Sequence, residues 1–159
     1  RSRETIHCPN CENRLKVIGS RKRGLIEYRG ERKSLIIRRL RCLGCGRAHH
    51  ELPDLIVPYK RYRSETVEFI ITSSNTETDD YPCELSTAIR LKIWFFLLRE
   101  YFKNTLISLT FLYDYDVALC NEINNLITCI DLRSGVTGWL KKLVRYLVNS
   151  GRWLHTRSA

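Results

Sequence analysis

Two pairs of cysteines near the start of the chain constrain its fold more than any other feature. Cys8 and Cys11 form one C-x2-C pair, Cys42 and Cys45 form the second, and 30 residues separate the pairs. Four thiolates at this spacing suit a tetrahedral Zn²⁺ ion, because each short turn delivers two sulfurs to one side of the metal. Two disulfides or a redox-active C-x-x-C motif are the alternatives. We expect one structural zinc ion on these four cysteines, since four protein ligands leave no position for a substrate.

The residues beside the two pairs fit such a site. Gly44 and Gly46 can adopt positive φ, which turns backbone N–H groups toward the sulfurs and stabilises their negative charge. Three histidines lie next to the pairs, and we expect them to donate hydrogen bonds rather than to replace a cysteine: His7, His49 and His50.

The segment between the pairs has the pattern of a β-hairpin. Residues 15–18 and 34–41 are rich in β-branched side chains and are bounded by glycines, as in the short strands of a zinc ribbon. Alternation along the later strand predicts that Arg39 and Arg41 share one face while Arg38 lies on the other. We expect the basic residues of this segment to contact phosphates, with a merely solvated hairpin as the alternative: Arg21, Lys22, Arg23, Arg38, Arg39 and Arg41.

Charge is distributed unevenly along the 159 residues, which carry a net charge of +10. Residues 1–63 hold 17 basic and 6 acidic side chains, residues 64–132 hold 4 and 11, and residues 133–159 hold 6 and none. A basic block attracts a polyanion, an anionic membrane or an acidic protein. The longest apolar run, residues 93–98, is far shorter than the roughly 20 residues of a membrane span. An odd number of cysteines, seven, argues against a secreted disulfide framework and predicts a cytoplasmic protein.

The chain beyond residue 58 has helical patterns. Ser64 is the expected cap of a first helix, and a polar break over residues 73–82 precedes a second helix near residues 84–103. The predicted packing stripe of the second helix comprises Leu85, Ala88 or Ile89, Ile93, Phe96 or Leu97, and Tyr101. Its first turns present polar groups suited to a recognition helix in the DNA major groove, although a solvated helix face is equally compatible with them: Ser86, Thr87, Arg90 and Lys92.

The remaining sequence predicts a buried segment over residues 104–113, a helix ending near residue 131 and an amphipathic helix over residues 134–149. The last helix has Leu140, Leu143 or Val144, and Leu147 on its apolar side. The expected fold is therefore α+β, with a small four-cysteine zinc ribbon at residues 1–58 and a mainly helical, helix-turn-helix-like domain at residues 59–159 that binds DNA or a protein.

A family resemblance follows from the order of the motifs. The chain runs from C-P-x-C through R-R-x-R-C-x-x-C, H-H-E-L-P-D-x-x-x-P-Y-x-R-Y and Y-P-C-E-x-S-T-x-I-R to V-N-S-G-x-W-x-H-T-R-S-A. It resembles uncharacterised bacterial proteins in which a zinc ribbon precedes a helix-turn-helix. Those proteins are similar to the N-terminal DNA-binding region of insertion-sequence transposases. The resemblance implies binding of double-stranded DNA through the helix with Ser86, Thr87 and Arg90, and a link to mobile elements.

These features predict a zinc-dependent DNA-binding protein of the nucleoid, either a targeting factor of a transposon or a transcriptional regulator, which also contacts a transposition or transcription protein. The alternative is an adaptor whose basic ribbon and tail bind an acidic partner or a second copy. RNA binding is a third possibility, for which Tyr28 is the one aromatic residue on the ribbon strands. We expect no enzymatic activity, because the candidate metal-binding carboxylates read as a solvated surface: Asp114, Asp116, Glu122 and Asp131.

Overall fold

The computed structural model describes residues 7–73, 81–113 and 115–153. An antiparallel sheet comes first, with strands β1 (Leu15–Ile26), β2 (Arg32–Cys42) and β3 (Ala48–His50) in that spatial order. The helices α1 (Ser64–Thr72), α2 (Leu85–Leu112), α3 (Val117–Leu132) and α4 (Trp139–Asn149) follow. A hairpin with the four cysteines thus precedes a helical region, which confirms the predicted α+β class. Asp114, most of the polar break and the closing H-T-R-S-A motif lie outside the described residues.

The strands β1 and β2 form a hairpin that extends well beyond the predicted strand segments. Arg21 pairs with Ile37 and Arg23 pairs with Leu35, and a bulge shifts the register near Val17. The side of the hairpin that bears Ile37 carries a small apolar cluster, built from Leu25, Ile37 and Ile56 with Leu35, Leu52 and Leu55 around them. Three fully buried side chains are a minimal core, so the hairpin needs a further source of stability.

The main core lies among the helices and is centred on aromatic residues of α2. The rings of Trp94 and Phe102 are 6.0 Å apart, and Phe95 contacts Trp139 of α4 edge-on at 5.6 Å. Apolar side chains of α1, α3 and α4 surround them. Although α2 has 28 residues, neither it nor any other helix in the described ranges is long and apolar enough to cross a membrane.

The packing face predicted for α2 is wrong. Of the predicted stripe only Ala88 is buried, whereas Leu85, Ile89, Ile93, Phe96 and Leu97 are exposed. The helix packs instead through Leu91, the aromatic residues and the leucines that follow them. Both sides of this helix are apolar, and periodicity alone identifies such a side without showing which one the other helices cover. The helix also continues to Leu112, past the predicted end at residue 103, and includes most of the segment predicted as separate.

The other helix boundaries depend on contacts that are distant in sequence. Ser64 is not a cap but the first residue of α1, and its hydroxyl donates to the carbonyl of Asp54 at 3.2 Å. The last helix begins at Trp139, later than predicted, where the carboxylate of Glu68 from α1 accepts the backbone N–H groups of Gly138 (2.7 Å) and Leu140 (2.9 Å). The predicted apolar side of this helix is confirmed, with Leu140, Leu143, Val144 and Leu147 all buried.

The hairpin is attached to the helical region through the segment before α1. The N–H of Ile26 donates to the carbonyl of Arg61 at 2.8 Å, and the N–H of Arg63 returns a bond to Ile26 at 3.0 Å. At the hairpin tip, the ring of Tyr28 packs edge-on against Phe69 of α1, 5.5 Å between centroids. These contacts hold the hairpin against the helices through its tip, and leave the cysteine end away from them.

Candidate metal centre and cationic face

The four paired cysteines converge on one point. Their sulfurs all lie within 4.8 Å of one another, with 3.7 Å between Cys8 and Cys45 and 3.4 Å between Cys11 and Cys42. A tetrahedron of Zn–S bonds of about 2.3 Å requires sulfurs about 3.8 Å apart. The cysteines are free thiols, so the two-disulfide alternative is wrong for this structure. The cluster is close enough to hold a metal ion, and its all-sulfur ligand set is consistent with zinc.

The hairpin brings the two pairs together. Cys8 and Cys11 occupy the turn before β1, where the N–H of Glu12 donates to the carbonyl of Cys8 at 2.8 Å. Cys42 ends β2 and pairs with Leu15 at the start of β1. The 30 residues between the pairs therefore form a hairpin, and the two ends of the hairpin bring the cysteine pairs together.

Backbone N–H groups beside the second pair point at one sulfur, so the expectation from the glycines holds only in part. The N–H groups of Gly44 and Cys45 lie 3.3 and 3.4 Å from the sulfur of Cys42. Gly46 has φ near +70°, a left-handed conformation that favours glycine. Gly44 does not have the positive φ expected of it, but a Cβ built there would lie 2.4 Å from Nδ2 of Asn13 and would displace that amide.

Asn13 is a site residue that sequence reasoning missed, since its closeness to Cys11 was the one signal that could have found it. Its side-chain amide donates to the carbonyl of Cys11 at 3.2 Å and to the sulfur of the same residue at 3.5 Å. The backbone and side chain of Asn13 are the main causes that lower the pKa of Cys11 to about 6. The Cys45 thiol differs: an N–H of Arg47 lowers its pKa, but burial and the three neighbouring sulfurs raise it to about 11. Hydrogen bonds thus favour the thiolate at Cys11, the form that binds metal.

One of the three histidines beside the pairs also contacts a cysteine. The Nε2 atom of His49 lies 3.4 Å from the sulfur of Cys8. This is a hydrogen-bonding contact of the kind expected for these histidines. It orients a sulfur from the side of β3, so that strand also contributes to the site.

Four arginines and a histidine lie on one side of the sheet. Cross-strand partners point to the same side of a sheet, so the pairing of Arg21 with Ile37, and of Arg39 with both Gly19 and His50, aligns the three strands. We call this group the cationic face; its members are Arg21, Arg23, Arg39, Arg41 and His50. It adjoins the small apolar cluster, which the segment around Ile56 covers.

Several members of the cationic face lie close enough to influence one another's charge. Within the described ranges none of its arginines forms an ion pair with a carboxylate. Burial lowers the pKa of Arg23, and the nearby charge of Arg21 lowers it further. Burial likewise lowers the pKa of His50, followed by the charges of Arg21, Arg39 and Arg23. Arg21 is therefore close enough to Arg23, and Arg21, Arg23 and Arg39 to His50, to disfavour the neighbouring positive charge.

The other basic residues predicted to contact DNA from the hairpin lie elsewhere. Lys22 and Arg38 point to the opposite side of the sheet, as alternation requires. The guanidinium of Arg38 forms a two-pronged ion pair with Glu51. The structure thus brings together four of the six basic hairpin residues and separates two.

The four residues predicted to read DNA from the start of α2 differ in their surroundings. Ser86 and Arg90 are exposed on its first turns, and Thr87 is half-buried. The ammonium of Lys92 instead donates to the carbonyl of Ser73 (2.8 Å) and to the hydroxyl of Tyr81 (2.6 Å), which lowers the pKa of Tyr81. Lys92 therefore links α2 to the end of α1.

The basic C-terminal helix is partly neutralised within the chain. Lys142 of α4 forms an ion pair of 2.6 Å with Glu122 of α3, whose pKa is lowered by that contact and by the hydroxyl of Tyr146. Arg145 pairs with Asp54 in the segment before α1. These ion pairs neutralise positive charges of α4 that an acidic partner could otherwise bind.

Comparison with known proteins gives one match. A family model described as "Domain of unknown function (DUF6431)" matches residues 8–91, just over half of the chain. The matched residues include the four cysteines, the cationic face and the first turns of α2. No curated protein and no solved structure matches the chain.

Proposed function

The chain belongs to the DUF6431 family, and from that premise we propose that it is a zinc-dependent DNA-binding protein. A single structural zinc ion on the four cysteines holds the hairpin, and the cationic face binds the phosphates of duplex DNA. The protein acts on the nucleoid, as a targeting factor related to insertion-sequence transposases or as a transcriptional regulator, and it performs no catalysis of its own.

The cationic face is the observation that carries the proposal. Two strands place four arginines on one side of a small sheet, a third strand adds His50, and none of these arginines has an ion-pairing carboxylate in the described ranges. Repulsion between neighbouring like charges raises the free energy of the folded chain. A polyanion reverses this cost and releases counterions when it binds. The face is thus organised for binding phosphates rather than for stabilising the hairpin.

Sequence reading is assigned to the start of α2. Ser86 and Arg90 are one helical turn apart and exposed, so both project from the same side of the helix. An arginine in this position can form two hydrogen bonds with guanine, and a serine can contact a base or a phosphate. Lys92 is left out of this set because it binds Ser73 and Tyr81.

Salt dependence of DNA binding tests the cationic face. We expect Arg21→Ala and Arg39→Ala each to reduce the slope of log Kd against log salt by about one, because each removes one phosphate contact. Fluorescence anisotropy of a labelled random duplex, titrated with zinc-loaded protein at several salt concentrations, measures the slope. Lys22→Ala is the matched control, since it removes a cation from the next residue of the same strand but from the opposite side. Equal slopes for all three variants would disprove the assignment.

Selection from a pool of random duplexes tests base reading. We expect an enriched sequence motif, and we expect Arg90→Ala to weaken binding to that motif by about 1–3 kcal/mol more than binding to bulk DNA. An equal loss on both kinds of DNA would make Arg90 a phosphate contact. Absence of enrichment together with salt-independent binding would instead favour the adaptor, with a transposition or transcription protein as its partner.

A further inference from the structure

The outward side of α2 bears an apolar stripe that Glu100 interrupts near its centre. Six large side chains on this side are between 39% and 77% exposed, and we call them the outer stripe: Leu85, Ile89, Ile93, Phe96, Ile107 and Phe111. At about 100° per residue they fall within an arc of about 80° along a helix about 42 Å long. Single exposed apolar residues are ordinary, but a stripe along a whole helix marks an interaction surface.

We propose that the outer stripe is a self-association surface, on which a second copy of this chain lays its own α2 in the antiparallel direction. The order of the stripe supports this occupant. Leu85 and Phe111 stand equally far from residue 98, and so do Ile89 and Ile107. A two-fold axis at that point places Leu85 against Phe111 of the second copy and Ile89 against Ile107 of the second copy. The contact is self-complementary in its two outer layers, as a two-fold contact between identical chains requires. In its two inner layers, Ile93 and Phe96 meet Lys103 and Glu100 of the second copy.

The charges at the centre of the stripe select the antiparallel direction. Glu100 interrupts the apolar residues there and is flanked in its own chain by Arg99 (3.3 Å) and Lys103 (3.8 Å). A parallel pair would set Glu100 directly against Glu100 of the second copy, which is repulsive. In the antiparallel pair the two carboxylates are offset by about 6 Å along the axis. Each then lies near the Arg99 of the other copy.

The dimensions predict a weak dimer. A stripe about 40 Å long and about 10 Å wide gives an interface at the low end of specific protein contacts. Association should therefore depend on concentration in the range of about 10 to about 300 µM. Ser86 and Arg90 lie beside the stripe rather than on it, so pairing leaves them at its rim. The inference is independent of DNA binding and stands or falls by oligomeric state alone.

Opposite charges placed at Ile89 and Ile107 test whether these two residues face each other across the dimer. Zinc-loaded full chain is examined by sedimentation equilibrium without DNA. We expect Ile89→Glu and Ile107→Lys each to weaken self-association roughly tenfold or more, because every dimer of either variant sets a charge against an isoleucine. An equimolar mixture should recover dimers, since one layer then pairs Glu with Lys and the other pairs Ile with Ile. Leu85→Glu mixed with Phe111→Lys repeats the test at the ends of the stripe, where Phe111 is 77% exposed.

The control is Val136→Glu, which places the same charge on a residue 85% exposed outside the stripe. We expect it to self-associate like the unmodified chain, and circular dichroism verifies that each variant folds. A wild-type chain that stays monomeric at the highest concentration would overturn the proposal and assign the stripe to a different partner. Dimers that survive the single substitutions, or variants that fail to recover on mixing, would overturn it as well.

Discussion

At the scale of single residues, the metal centre depends on side chains that are not ligands. Asn13 donates to Cys11, and Gly44 leaves the space that Asn13 occupies. The backbone N–H of Gly44 also points at the sulfur of Cys42. One glycine therefore supports sulfurs of both cysteine pairs. Groups that hydrogen-bond to metal ligands commonly change metal affinity by about 10- to 100-fold.

Substitution of Gly44 tests whether these hydrogen bonds to the cysteine sulfurs support metal binding. We expect Gly44→Ala to weaken zinc binding by roughly tenfold, because the new methyl group displaces the Asn13 amide from the Cys11 sulfur. Competition with a chromophoric chelator of known zinc affinity measures the change. Gly24→Ala is the control, since a Cβ at Gly24 meets no atom within 4 Å. Unchanged affinity in Gly44→Ala would show that the Asn13 hydrogen bond contributes little.

At the scale of elements, one helix caps another. Glu68 is buried in α1, and its two carboxylate oxygens accept the backbone N–H groups of Gly138 and Leu140 at the start of α4. No side chain of the α4 N-cap residue, Gly138, is available for this task. A carboxylate at a helix N-terminus also interacts favourably with the helix dipole. The contact therefore joins two helices whose sequences are 70 residues apart.

Removing that charge should lower stability. We expect Glu68→Gln to reduce the free energy of unfolding by about 1–2 kcal/mol, because the amide loses the charge and turns donor hydrogens toward backbone N–H groups. Urea unfolding followed by circular dichroism measures it. Asp131→Asn provides the comparison, since Asp131 is exposed in its ion pair with Lys103 and the pair should contribute less than about 1 kcal/mol. Equal effects of the two substitutions would contradict a capping role for Glu68.

At the scale of the whole molecule, two cores of unequal size share one chain. The helical core is large and aromatic, while the apolar cluster beside the hairpin has three buried members, Leu25, Ile37 and Ile56. A core of that size does not hold two long strands and two cysteine turns together. Under the zinc proposal the metal supplies the missing stability, and the cationic face exists only while the hairpin is closed.

Metal removal should therefore unfold the hairpin and leave the helical region folded. We expect chelation to abolish hydrogen-exchange protection of the amides in β1, β2 and β3 while those of α2 and α4 remain protected. Mass spectrometry of exchange before and after chelation measures this, and readdition of zinc should restore the protection. DNA affinity should fall together with hairpin protection. Protection that is unchanged throughout, or lost from the helices at the same time, would contradict a separate metal-dependent hairpin.

The parts of the fold that were predictable are those determined by neighbours in sequence. The C-x2-C spacing predicted the convergence of Cys8, Cys11, Cys42 and Cys45, and strand alternation predicted that Arg39 and Arg41 share a side without Arg38. The apolar residues of α4 were also predicted correctly. The packing side of α2, the cap of α1 and the contact between Asn13 and Gly44 were not, because each depends on a partner outside the local pattern.

The sequence by itself determined the hairpin with its cysteines, the helical character of the remainder and the excess of positive charge near the start. Those properties follow from short-range spacing, periodicity and composition. Only the tertiary structure decided which side of α2 is buried, which cations gather on the cationic face and which are paired within the chain. Burial and pairing depend on what lies opposite a residue in space. A helix that is apolar on both sides can pack through either side, and the positions of the neighbouring helices decide which side is buried.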